Sequence, residues 1–136
     1  MKRLTVLMVL ILTAVFIAAC GGGEDTSGPE TFTFDVTGLD EFVYDPASLT
    51  VSAGSLVTIN FENVGVLEHN WLLISERTEP VDATEADAMA GATTGELGAG
   101  ESKSITFSAP PAGTYTYVCT VAGHAEAGML GTLVIE

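Results

Sequence analysis

From Thr31 onward the chain alternates apolar and polar residues with a period of two. Phe32, Phe34 and Val36 alternate with Thr31, Thr33, Asp35 and Thr37, and Val57, Ile59 and Phe61 alternate with Thr58, Asn60 and Glu62. Successive side chains of an extended strand point to opposite faces, so this period marks strands with one buried face. Similar runs lie at 48–52, 70–75, 102–108, 113–119 and 130–135. Turn-forming residues separate them at Asp45-Pro46, Ala53-Gly54, Gly98-Ala99-Gly100 and Pro110-Pro111-Ala112-Gly113. About seven or eight short strands so spaced predict an all-β fold, an antiparallel Greek-key sandwich or barrel. Residues 82–92 (DATEADAMAGA) break the period. They are rich in alanine, carry acids early and place Gly91 near the end, which predicts one short helical insertion on the outside of the sandwich.

The first thirty residues have a different character. Met1-Lys2-Arg3 is basic, and residues 4–19 are apolar except for Thr5 and Thr13. That run falls short of the ~20 residues a spanning helix needs and reads as an export signal. It closes on Ile17-Ala18-Ala19-Cys20, which resembles the lipobox of bacterial lipoproteins; the resemblance makes Cys20 the lipid-modified first residue of the mature chain. The competing reading is an ordinary signal peptide that happens to end near a cysteine. Residues 21–30 (GGGEDTSGPE) carry no large apolar side chain and read as a flexible tether. The expected organisation is a lipoprotein signal at 1–19, the lipidated Cys20 with its linker at 20–30, and one domain at 31–136. The domain would sit on the outer side of the cytoplasmic membrane.

Charge narrows the partners. The formal net charge is −14, and removal of Lys2 and Arg3 with the signal leaves two cations against 18 acids, or −16. Such a surface repels nucleic acid and anionic headgroups and steers basic proteins toward it. Simple solubility would account for the acidity equally well.

The chemistry gathers near the end of the chain. Cys119, His124 and Met129 stand five residues apart between two predicted strands, and the only other histidine, His69, heads the apolar run Trp71-Leu72-Leu73-Ile74. Two histidines and a cysteine with a weak axial methionine form a blue-copper electron-transfer set. Zinc suits the set less well, having little use for a thioether. Gly123 and Gly128 would let the loop turn. Tyr115 and Tyr117 share strand parity with Cys119 and should point inward, where their hydroxyls need partners. Met89 and Trp71 read as packing residues.

At these residues a family resemblance becomes specific. His69-Asn70-Trp71-Leu72-Leu73, the stretch Gly113 to His124 (GTYTYVCTVAGH) and Gly128 to Ile135 (GMLGTLVI) resemble the small blue-copper proteins, or cupredoxins: azurin and, more closely, auracyanin. The gap of four residues between His124 and Met129 is the auracyanin spacing; azurin-type loops are one residue shorter there. The resemblance implies that His69, Cys119, His124 and Met129 hold one copper ion cycling between Cu(I) and Cu(II). It also implies that Asn70 bonds the Cys119–Thr120 segment and ties the two ligand loops together. Where azurin has a glycine before its first histidine, this chain has Glu68, which places a carboxylate near the site. By the same resemblance the protein carries electrons as a monomer between cytochromes or membrane redox complexes of a respiratory or photosynthetic chain. His124 would face solvent within a collar of Val66, Leu67, Ala125, Ala127 and Leu130.

Three other functions bear on the same residues. A copper chaperone would expose clusters of methionine or cysteine, and none occurs. A stand-alone multicopper oxidase or nitrite reductase needs more than two histidines, so the reading is of a non-enzymatic protein. A metal-free adhesion-type sandwich remains open at this stage.

Overall fold

The computed structural model describes residues 28–136. The signal at 1–19 and the proposed lipid site Cys20 lie outside the described residues. Eight strands form two four-stranded sheets. They are β1 (Thr31–Leu39), β2 (Val43–Asp45), β3 (Ser48–Val51), β4 (Leu56–Asn63), β5 (Leu72–Ile74), β6 (Ser102–Ser108), β7 (Gly113–Val118) and β8 (Leu130–Ile135). One sheet runs β2-β1-β4-β6 and the other β3-β8-β7-β5.

The sandwich matches the sequence expectation, but its sheets are mixed. β1 lies parallel to β4 and β3 parallel to β8, while the other pairs are antiparallel. Periodicity reports which face of a strand is buried and says nothing about the direction of its neighbour, so it could not separate the two arrangements. The three-residue β2 also lay below what a period of two can register.

The inner faces follow the predicted parity. Val57, Ile59 and Phe61 of β4 and Val36 of β1 are buried in one cluster with Tyr117 and Leu133 of the opposite sheet and with Trp71, which immediately precedes β5. Trp71 stacks on Tyr117 at 5.2 Å and lies 6.0 Å from Phe107. The buried tyrosines find backbone acceptors: Tyr117 donates to the Pro46 carbonyl at 2.8 Å, Tyr115 to Pro111 at 2.9 Å, and Tyr44 to Asn70 at 2.6 Å.

The predicted helical insertion is three single turns of 3-10 helix, at Pro80–Asp82, Glu85–Asp87 and Met89–Gly91. Ala90 adopts φ 52°, which interrupts any longer helix. At the second turn the Thr84 amide and hydroxyl both donate to the Asp87 carboxylate at 2.8 Å, which closes its N-terminal end. Ala83 and Ala88 of this segment cover Leu72, Ile74, Val118 and Ala125, a second small core on the outer face of β5 and β7. β5 is thereby buried on both faces.

Candidate metal centre

One pole of the sandwich collects the chemistry. His69 precedes β5 and is pinned by a two-way backbone bridge to Leu97, His69 N–H to Leu97 O at 3.1 Å and the reverse at 2.9 Å. Cys119 follows β7 directly, so the strand fixes its backbone. His124 and Met129 sit on the return loop to β8. That loop closes on itself: the Met129 amide donates to the His124 carbonyl at 2.9 Å, and the Cys119 amide to the Met129 carbonyl at 3.2 Å. Gly123 at φ 86° and Gly128 at φ 103° take the left-handed turns that a side chain would strain.

These elements bring three donors together. The ligand atoms of His69, Cys119 and His124 all lie within 4.8 Å of one another, and all three residues are buried. His69 Nδ1 is 3.2 Å from His124 Nδ1, which is 3.4 Å from Cys119 Sγ. His69 and Cys119 are fully enclosed, whereas His124 keeps 7% of its surface exposed. Met129 is fully buried beside them in the chain, and Met89, the other methionine of the domain, packs on the main core from the insertion.

Burial at the pole disfavours charge on both His124 and Cys119 in the absence of a cation. Burial, reinforced by the neighbouring His69, holds the His124 imidazole below its ordinary value. Burial pushes the Cys119 thiol up, against the opposing pull of the Asn70 and Val121 amides. The Asn70 amide approaches Cys119 Sγ at 3.5 Å. Two imidazole nitrogens and a sulfur converging in a buried pocket suit a borderline-to-soft cation, which would favour the thiolate and displace its proton. The donor set therefore fits copper.

Asn70 joins the two ligand-bearing segments. Its carbonyl oxygen accepts the Thr120 amide at 2.8 Å, and its amide donates to the Thr120 hydroxyl at 2.7 Å and to Glu85 at 2.6 Å. Glu85 in turn accepts the Thr93 hydroxyl at 2.6 Å, so the insertion is roped to the site.

Two residues that sequence reasoning did not single out touch the histidines. Both lie on the turn between β1 and β2, closed by the Phe42 amide bonding to Leu39 O at 3.0 Å. Phe42 takes φ 58°, uncommon for a residue with a side chain, and packs edge-on against the His124 ring at 4.9 Å. Asp40 accepts the Val66 and Leu67 amides and reaches His69 Nε2 at 3.2 Å. The Val66 and Leu67 amides, with His69 beside them, hold the Asp40 carboxyl below the usual carboxylate range. The carboxylate against the first histidine is thus Asp40, while Glu68 is exposed. A lone acid in a turn carries no sequence signal for this contact, since only the register of β1 on β4 brings it to residues 65–69.

The expected apolar collar is also redrawn. Val66 is 81% exposed, with Val64, Leu67 and Leu130 also open to solvent, but Ala125 turns inward onto Leu72 and Val118.

The comparisons with known proteins agree with this geometry. The sequence profile of the copper-binding proteins of the plastocyanin/azurin family matches residues 31–136. Auracyanin-A of Chloroflexus aurantiacus is 38% identical, over 98% of this chain and 97% of that protein. Among solved structures, dithionite-reduced auracyanin from the photosynthetic bacterium Roseiflexus castenholzii superposes with a TM-score of 0.67 at 27% identity, over 80% of this chain and 99% of its own. Auracyanin A, a blue copper protein from the green thermophilic photosynthetic bacterium Chloroflexus aurantiacus, superposes with a TM-score of 0.65 at 33% identity, over 78% and 99%.

Proposed function

The chain belongs to the plastocyanin/azurin family of copper-binding proteins, and from that premise we propose that it is a membrane-anchored carrier of single electrons. The observation that carries the reading is the buried convergence of His69, Cys119 and His124 donor atoms within 4.8 Å. His69, Cys119, His124 and Met129 are the proposed copper ligands. When bound, copper supplies a one-electron couple between Cu(I) and Cu(II).

The protein's part is to keep its own atoms still. β7 and the two-way bridge at His69 fix two donors on sheet backbone, and the closed loop from Cys119 to Met129 fixes the rest. A site held from several sides reorganises little between valences, which lowers the barrier to electron transfer. His124, the partly exposed donor, is the proposed exit, on a surface where Val64, Val66, Leu67 and Leu130 are exposed. A small apolar patch of this kind suits brief contacts with redox partners, and the acidic body steers basic ones. Cytochromes or membrane complexes of a respiratory or photosynthetic chain fit that description, as does a lipid on Cys20 with residues 21–30 as tether. Among the described residues no helix is long and apolar enough to cross a membrane.

The visible spectrum of the oxidised, copper-loaded protein tests the reading. An intense visible thiolate charge-transfer band that is absent from Cys119→Ser is expected. A colourless protein that takes up no copper sinks it.

A further inference from the structure

The turn between β1 and β2 holds a side chain that the ligand set does not include, yet it grips one of the two fully enclosed donors. Asp40 Oδ1 lies 3.2 Å from His69 Nε2, on the side of the ring away from Cys119 and His124. A carboxylate offers only acceptors, so this contact is a hydrogen bond only when Nε2 carries the ring proton. Nδ1 is then bare, and its lone pair faces the other two donors. We propose that Asp40 is a positioning residue for His69: it takes the Nε2–H, fixes the ring in the tautomer that presents Nδ1 to the metal, and strengthens that nitrogen as a donor. The inference rests on the copper reading of the site only for its effect on copper; the tautomer belongs to the protein alone.

Two further features show that the carboxylate is built into place. It accepts the Val66 amide at 2.8 Å and the Leu67 amide at 3.1 Å, so the loop leading to His69 holds Asp40 rigidly against the ring. Residue 65 is glycine, and any Cβ there would lie 2.7 Å from Asp40 Cγ and 3.1 Å from His69 Nε2. Only a glycine leaves room for the carboxylate to reach the imidazole. Histidine ligands commonly donate their second nitrogen to such an acceptor, which orients the ring and raises its basicity. A negative charge at that distance favours the more highly charged oxidised state, so it also holds the reduction potential down.

The test uses three variants and two readouts. In metal-free protein labelled with 15N, long-range proton–nitrogen correlation spectra report the tautomer of each of the two histidines. His69 should appear as the Nε2–H form in the parent and as a mixture of tautomers in Asp40→Ala. Gly65→Ala should give the same mixture while leaving the Asp40 charge in the chain. In copper-loaded protein, Asp40→Asn, which keeps an acceptor for the loop amides, should weaken Cu(II) binding by about 10–100-fold. If Cu(II) is weakened about tenfold more than Cu(I), the potential rises by about 59 mV. An unchanged His69 tautomer in both Asp40→Ala and Gly65→Ala overturns the inference, and so does an unchanged potential in Asp40→Asn. A parent protein that binds no copper while its tautomer responds as described overturns the copper reading and leaves the hold of Asp40 on His69 standing.

Discussion

Replacing Asn70 by alanine removes the one side chain that bonds both ligand-bearing segments and the insertion. Its amide makes two neutral hydrogen bonds to Thr120, at 2.7 and 2.8 Å, and one to the Glu85 carboxylate at 2.6 Å. Neutral bonds contribute about 1 kcal/mol each, and bonds to charged groups about 1.5–3 kcal/mol. Asn70 itself is fully buried, but Glu85 is exposed and Thr120 half-exposed. Water therefore recovers part of the loss, and the net cost is about 3 kcal/mol. For a domain of roughly a hundred residues, each kcal/mol moves Tm by about 4–8 °C, so a fall of about 12 °C or more is expected. Thermal unfolding of the metal-free protein, followed by circular dichroism, measures this without any contribution from a bound ion. Glu85→Ala should lose about a third of that amount. The double variant should cost less than the sum of the two single changes, since the shared bond is counted in both. A metal-free Asn70→Ala protein that melts within about 2 °C of the parent would refute the argument that this amide ties the pole together.

Met129→Leu should leave the copper-loaded protein coloured, since the thiolate responsible for the band is untouched, and should raise the potential by about 59 mV or more in voltammetry, one tenfold change in relative affinity. Because Leu and Met are close in volume, it should cost less than about 1.5 kcal/mol of stability even at this fully buried position. Acid should destabilise the metal-free protein in a window set by His124. Its folded-state value is depressed below the ordinary 6.5, so as pH falls through about 6.5 the unfolded chain takes the proton first and stability drops. The drop continues until the folded-state value is also passed. Unfolding scans between about pH 8 and pH 5 should show Tm declining at the acid end, with His124→Gln flattening the decline; a Tm that rises on acidification would contradict it.

The sequence by itself determined seven of the eight strands, their buried faces and the prominence of His69, Cys119 and His124, which the structure gathers at one pole. Alternating side chains are a local property, and β4 buries the very residues its period marks, Val57, Ile59 and Phe61. The rarity of histidine, with only His69 and His124 in the chain, left few ways to assemble a donor set around Cys119. The parity of Tyr117 with Cys119 likewise put both inside. Tertiary structure alone decided which strands run parallel, because direction is settled by partners distant in the chain. It also decided that residues 80–91 form three single 3-10 turns over an otherwise exposed face of β5. The contacts of Asp40 with His69 and of Phe42 with His124 belong to the same class. They arise where the parallel pairing of β1 with β4 carries a short turn across the mouth of the site, and no periodicity along the chain encodes such a crossing.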